Sequence, residues 1–195
     1  MRALRSQLDA IREDTEANEL AQLHRASGSA ITGWAIMEER IVMVACLLLQ
    51  TTPEKTGLIF YSIINFQAWI TITTDLFSLE PMFADFQKRW NKIFERLRAE
   101  KDNRDRLAHN YASAADVSDN PIKRAAKLPS RIDMRPKSRA LSPMTVEQIN
   151  DFADRIGAIS DDLLRLVDDM IHHRDKLQSQ PSTDKSSARG PGPPT

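Results

Sequence analysis

The chain has 195 residues, enough for one domain with appendages but not for two full domains, and a bundle of this size buries a core without disulfide or metal staples. Lys and Arg together number 27, as do Asp and Glu, so no global field draws the chain to nucleic acid or anionic lipid; such attraction has to come from local patches. The one cysteine, Cys46, excludes an intrachain disulfide or a thiolate metal cluster, and its place in the apolar run 41–49 reads as a small buried side chain.

Residues 1–16 scatter Arg2, Arg5, Arg12, Glu13 and Asp14 through what would be a leader's apolar core, so no signal peptide is read there and cytoplasmic residence is the expectation. A first amphipathic helix is predicted over about residues 3–25, from Leu4, Leu8, Ile11, Leu20 and Leu23. Ser27-Gly28-Ser29 reads as a break, followed by a second helix to about residue 50 with a wet stretch at Glu38, Glu39 and Arg40. Thr52 before Pro53 is a helix start, since the hydroxyl caps free N–H groups and proline has no N–H to waste at the first position. The third helix, to about residue 77, is apolar nearly all round and is predicted to be central. Its uncharged stretch 56–74 is about long enough to cross a bilayer, but Asn65, Gln67 and four serines or threonines from 62 to 74 favour protein surroundings, so no membrane partner is expected.

Pro81 opens a fourth helix in which Met82, Phe86, Trp90, Ile93 and Leu97 recur every three or four residues, with Lys88, Arg89, Lys92, Arg96 and Arg98 on the other faces. Periodicity then stops from 113 to 143, where Pro121, Pro129, Pro136 and Pro143 argue against a long helix; short strands or an ordered loop both remain open. The fifth helix has the clearest pattern, with Ile149, Phe152, Ile156, Ile159, Leu163, Leu166 and Met170 in unbroken steps of three and four. Thr145 and Gln148 form a capping box before it, and Met144 is placed to staple onto Ile149. From residue 179 onward Ser, Pro and Gly replace apolar residues, as in a disordered tail. The expectation is an all-α bundle of four to five helices in a single domain, 1–178, with an irregular basic insertion at about 113–143 before the last helix and a tail at 179–195. The six glycines show no P-loop or dinucleotide spacing and no βαβ alternation accompanies them, which sets aside kinase, dehydrogenase and P-loop functions; no cofactor and no metal is expected.

Chemistry concentrates at the foot of the fourth helix, where residues 101–111 read KDNRDRLAHNY. Arg104 and Arg106 carry planar, permanently charged forks that suit phosphate oxygens, and His109 is the side chain that titrates nearest neutrality. Asp105, four residues before His109, shares its face on a continuous helix and would orient the imidazole and favour its charged form. Asn110 and Tyr111 stand beside them as supporting groups. Cleavage of an RNA phosphodiester by its own 2′-hydroxyl requires such a set, with a group to move protons and fixed positive charge for the phosphorane, and needs no metal. The same residue types are also ordinary at a helix end, where cations suit the dipole and charged neighbours pair at three and four residues.

Arg104, Asp105 after it, and His109 beyond four intervening residues, at the end of a bundle helix, resemble the Arg-x4-His motif of the HEPN superfamily of small helical bundles. The resemblance is sharp over residues 103–111 and extends loosely, in helix count and order, from the second helix to the fifth. It implies a metal-independent endoribonuclease of the toxin–antitoxin, abortive-infection or antiphage-defence kind, acting on RNA as a homodimer with a composite site across the two-fold axis. In it Arg104 would bind or polarise the scissile phosphate, His109 move protons and Asp105 tune the histidine. Tyr111 further resembles the tyrosine of the Arg-x4-His-x-Tyr signature, found in toxins whose tyrosine is adenylylated by a minimal nucleotidyltransferase; this implies such an antitoxin as partner. The chain departs from that subgroup in its length and in the extra region 113–143.

Arg104 and His109 do not share a face on one ideal helix, so either a second protomer or a local distortion has to unite them. Arg106, three residues before His109, competes for the arginine's role. Residues 121–140 carry Lys123, Arg124, Lys127, Arg131, Arg135, Lys137 and Arg139 against Asp133 alone. This reads either as an RNA-backbone clamp or as a solvated loop that offsets the acids of the fifth helix. His172 and His173, one turn after Asp168 and Asp169, read as surface electrostatics, and Trp34, Trp69 and Trp90 as core. The rival to catalysis is a non-catalytic HEPN-like module that binds RNA or ties helices together.

Overall fold

The computed structural model describes the backbone of residues 2–109, 113–114, 126–128 and 144–179, and the side chains of 7, 14, 15, 17–107 and 144–179. It is an all-α bundle: α1 (Arg2–Leu48), α2 (Pro53–Tyr61), α3 (Phe66–Leu79), a 3-10 turn (Pro81–Phe86), α4 (Gln87–His109) and α5 (Val146–Ser179). The most extensive contact in the molecule runs along α1 and α5.

The predicted break at residues 27–29 does not occur; the first two predicted helices are one 47-residue helix. Leu23, Ala26, Ala30, Trp34, Met37, Ile41, Val44 and Leu48 form one buried stripe that crosses the Ser-Gly-Ser triplet without a phase change. A helical glycine costs only about 1 kcal/mol relative to alanine, and the stripe on either side of it outweighs that when α5 lies alongside. The seven apolar residues picked out in α5 are all buried in the same core, each contributing about 2 kcal/mol as an upper bound. The capping box forms reciprocally: the Thr145 N–H donates to Gln148 Oε1 at 3.0 Å and the Gln148 N–H to Thr145 Oγ1 at 3.2 Å. Met144 is buried in the core beside it.

The third predicted helix is corrected in two respects. It is two helices, parted at residues 62–65, and it is not central. Asn65 caps α3 by accepting the Gln67 N–H at 3.0 Å, and the Trp69 indole N–H donates to the Ile63 carbonyl at 2.9 Å, so local bonds hold the break. Leu58, Ile59, Tyr61, Ile64 and Leu79 are exposed, and the residues at the centre are those of α1 and α5. Split in this way the uncharged stretch spans no bilayer, and no helix among the described residues is long and apolar enough to cross a membrane.

Of the alternatives for 113–143, short strands are found: β1 (Ser113–Ala114), β2 (Ala126–Leu128) and β3 (Met144–Thr145) pair antiparallel in that order, with Lys127 opposite both Ser113 and Thr145. This small sheet connects the end of α4 to the start of α5. Among the acids of α5, Asp161 pairs with Arg40 of α1, Asp169 with Arg89 of α4, and Asp162 with Arg96 of α4 and with Arg165 of its own helix. His172 meets the Asp168 backbone carbonyl through Nδ1, and His173 lies edge-on to Phe86 at 5.5 Å between ring centres; among the described residues neither histidine forms an ion pair with a carboxylate.

Candidate functional site

The apolar stripe of α4 runs Trp90, Ile93, Leu97, then Glu100, Arg104 and Leu107, still in steps of three and four. Two charged residues therefore occupy inward positions just before the end of the helix. Glu100 is 8% exposed. Its carboxylate receives a fork from Arg155 of α5, with Nε to Oε1 at 2.6 Å and Nη2 to Oε2 at 3.2 Å, and a third bond from Asn103 Nδ2 at 2.9 Å. Bonding to Glu100 is the main cause holding the Arg155 guanidinium above its ordinary pKa. The pair fixes the last turns of α4 against α5, and with them the position of Arg104.

Arg104 lines a groove of about 230 Å³ bounded by three parts of the chain. α1 supplies Trp34 and Glu38; the α2–α3 corner and the first turn of α3 supply Ile63, Ile64, Asn65, Phe66 and Trp69; α4 supplies Lys101, Arg104 and Asp105. Its three aromatic lining rings pack on one another, Trp34 to Phe66 at 4.9 Å and Phe66 to Trp69 at 6.3 Å between ring centres and tilted by 57° and 44°, and Trp34 packs in turn on Phe152 of the core at 6.2 Å. On the α4 wall Asp105 bridges two cations, accepting from Arg104 Nη1 at 3.1 Å and from Lys101 Nζ at 3.4 Å. The Arg104 side chain keeps 38% of its surface in water. In the α1 part of the lining Glu38 Oε1 accepts the Trp34 indole N–H at 2.7 Å.

Of the two competing arginines, Arg104 and not Arg106 lines the groove. Arg106 turns aside to Asn103 Oδ1 at 3.4 Å, and burial pulls its guanidinium below the usual value while Asp102 opposes the shift. α4 continues as regular helix through His109, so the backbone positions of Arg104 and His109 are about 140° apart around one axis. Asp105 is engaged with Lys101 and Arg104. The His109 side chain, Asn110 and Tyr111 lie outside the described residues, as do Lys123, Arg124, Arg131 and Arg135; Lys127 is described only as the central backbone position of β2.

Sequence reasoning assigned Trp34 and Trp69 to the core, and both are buried, but they also line the groove. It missed Glu38, Asn65, Glu100 and Arg155. Glu100 left a visible trace, a lone acid on an apolar stripe, whereas the placing of Glu38 and Arg104, from two helices, in one groove lining leaves none. Among the described residues no group of three or more His, Cys, Asp or Glu side chains is placed to hold a metal. Compared with family models, with curated proteins and with solved structures, the chain matches none.

Proposed function

We propose that this chain is a metal-independent endoribonuclease of the HEPN type, acting as a homodimeric toxin or antiphage-defence effector. The observation that carries the reading is the placement of Arg104, which sits with Lys101 in a water-accessible groove on the helix whose last residue is His109. A permanently charged fork in a partly desolvated crevice suits the equatorial oxygens of a crowded phosphorane. In the reaction the 2′-oxygen attacks phosphorus and the P–O5′ bond breaks, leaving a 2′,3′-cyclic phosphate and a 5′-hydroxyl. The 2′-hydroxyl proton leaves to a base and a proton is delivered to the departing 5′-oxygen; imidazole is suited to both transfers near neutral pH. Because a regular helix separates Arg104 from His109 around its axis, the arginine of one copy serves with the histidine of another across a two-fold axis.

The test is cleavage of total RNA by purified protein, with and without EDTA, compared with His109→Ala and Arg104→Ala. Both variants are expected to keep the helical circular dichroism and the dimer mass, and to lose cleavage by at least about a hundredfold, while EDTA has no effect. Full activity of His109→Ala refutes the assignment.

A second reading, a non-catalytic helical module that binds RNA or ties helices together, is favoured by one observation: the same helix end carries the Glu100–Arg155–Asn103 network, which is architectural. RNA retained without cleavage by the unaltered protein selects it.

A further inference from the structure

The groove has a chemical polarity that phosphate binding alone does not use. Its α4 part carries Lys101 and Arg104 with Asp105 bonded between them, a net single positive charge, while α1 contributes an acid, Glu38, and the α2–α3 corner an amide, Asn65. Glu38 spends one oxygen on the Trp34 indole, and among the described residues its other oxygen has no partner. The negative charge there is felt nearby: after burial, the Glu39 and Glu38 carboxylates hold the Tyr61 phenol above its ordinary pKa. The orientation of Asn65 is set by its capping role. Its Oδ1 must face the Gln67 N–H, so its NH₂ is turned away from the helix as a donor, and no partner for it occurs among the described residues.

The groove thus offers an acceptor-only carboxylate and an amide donor held by its capping bond, in one lining with three aromatic rings and two cations. Nucleobases differ in what they present to such a set. Guanine alone among the four puts two parallel donors, N1–H and N2–H, beside an acceptor, O6; Glu38 takes both donors when one meets its open oxygen and the other the second lone pair of the oxygen that holds the Trp34 N–H, and an amide N–H meets O6. Adenine, cytosine and uracil each offer a carboxylate one donor at most along that edge. At about 230 Å³ the space is below the roughly 300–1,000 Å³ of drug-sized sites and suits one nucleoside. A base against these rings shares the groove with Lys101 and Arg104, whose combined charge exceeds that of the Asp105 between them, and single-stranded RNA is read in this manner, by splayed bases held on aromatic rings and bonded at their edges.

We infer that the groove is a guanine-recognition pocket in which Glu38 and Asn65 read the base while Lys101 and Arg104 hold the adjoining phosphate. The inference rests on the ribonuclease reading for the source of the base, RNA, and a free guanine nucleotide is the other source of the same chemistry.

Two measurements on the full chain separate the inference from the ribonuclease reading. Calorimetric titration with 3′-GMP and with 3′-AMP is expected to give roughly tenfold to hundredfold tighter binding of 3′-GMP. Glu38→Gln should bring the two ligands to within about threefold of each other. Asn65→Asp keeps an oxygen for the Gln67 N–H and so retains the helix cap, but replaces the donor facing O6 by an acceptor; it should weaken 3′-GMP about tenfold or more with helicity unchanged. In parallel, uridine-rich oligonucleotides with one internal guanosine, adenosine or cytidine are mapped for cleavage. Cuts concentrated at the guanosine, abolished as a preference by Glu38→Gln, support both readings with RNA as the source. Glu38-dependent 3′-GMP binding without any RNA cleavage upholds the pocket with a free nucleotide as the source, and removes the ribonuclease. Cleavage without base preference together with equal binding of 3′-GMP and 3′-AMP overturns the pocket and leaves the ribonuclease standing, and absence of binding with absence of preference overturns the pocket as well.

Discussion

Replacing Arg155 by methionine strands an acid that the fold has taken out of water. The Glu100 side chain is 10% exposed and that of Arg155 is 49% exposed, so the two partners stand in different solvents although they share one ion pair. Removing one partner of a fully buried pair costs about 3–5 kcal/mol; with the guanidinium half in water, about 2 kcal/mol is the appropriate figure for Arg155→Met. At this chain length that lowers Tm by about 4–8 °C. Glu100→Leu is expected to behave differently. It extends the apolar stripe one position beyond Leu97 and frees a guanidinium that already reaches solvent, so stability changes by less than about 1 kcal/mol. The double variant, with no charge left to desolvate, should equal or exceed the parent. Urea unfolding followed by the fluorescence of Trp34, Trp69 and Trp90 measures all three at constant m-value. Equal losses in the two single variants, or a double variant that sums them, would refute the argument that burial of the acid sets the cost.

Three further outcomes follow from other parts of the molecule. Gly28→Ala should stabilise by about 1 kcal/mol, or about 2–4 °C in Tm, because the residue is helical and exposed and an added Cβ meets nothing within 4 Å; a loss of stability would mean that the 27–29 segment is a turn and not mid-helix. Thr74→Val should cost about 1–3 kcal/mol by depriving the wholly buried Trp90 indole N–H of its acceptor, Thr74 Oγ1 at 2.9 Å, and an unchanged urea midpoint would refute it. Tyr61 should ionise above the phenol's ordinary value near 10, chiefly through burial and then through Glu39 and Glu38. The sign follows from linkage: a phenol whose folded pKa is raised favours the fold below the unfolded pKa, and that contribution is lost as pH climbs through the folded pKa. Ultraviolet titration of the parent against Tyr61→Phe isolates this phenol from Tyr111, and a midpoint at or below 10 contradicts the assignment.

Local patterning is enough to establish the helical class, the whole buried face of α5 with its capping box, and the face of α4 that meets the core, because a period of three and four, a cap and a staple each act within a few residues. The chemistry-bearing run at the foot of α4 is legible for the same reason: its residue types are unusual in one short window. Where α1 continues and where the apolar third segment breaks are decided by what lies alongside. Ser27-Gly28-Ser29 stays helical because the stripe from Leu23 to Leu48 has α5 to pack against, whereas residues 62–65 leave the helix and are held by Asn65 and the Trp69 indole. Tertiary structure likewise chose Arg104 over Arg106 for the groove and brought Glu38 and Asn65 into the same lining. Those decisions rest on approaches between residues far apart in the chain, and hydrophobic periodicity carries no information about which polar side chains meet across three helices.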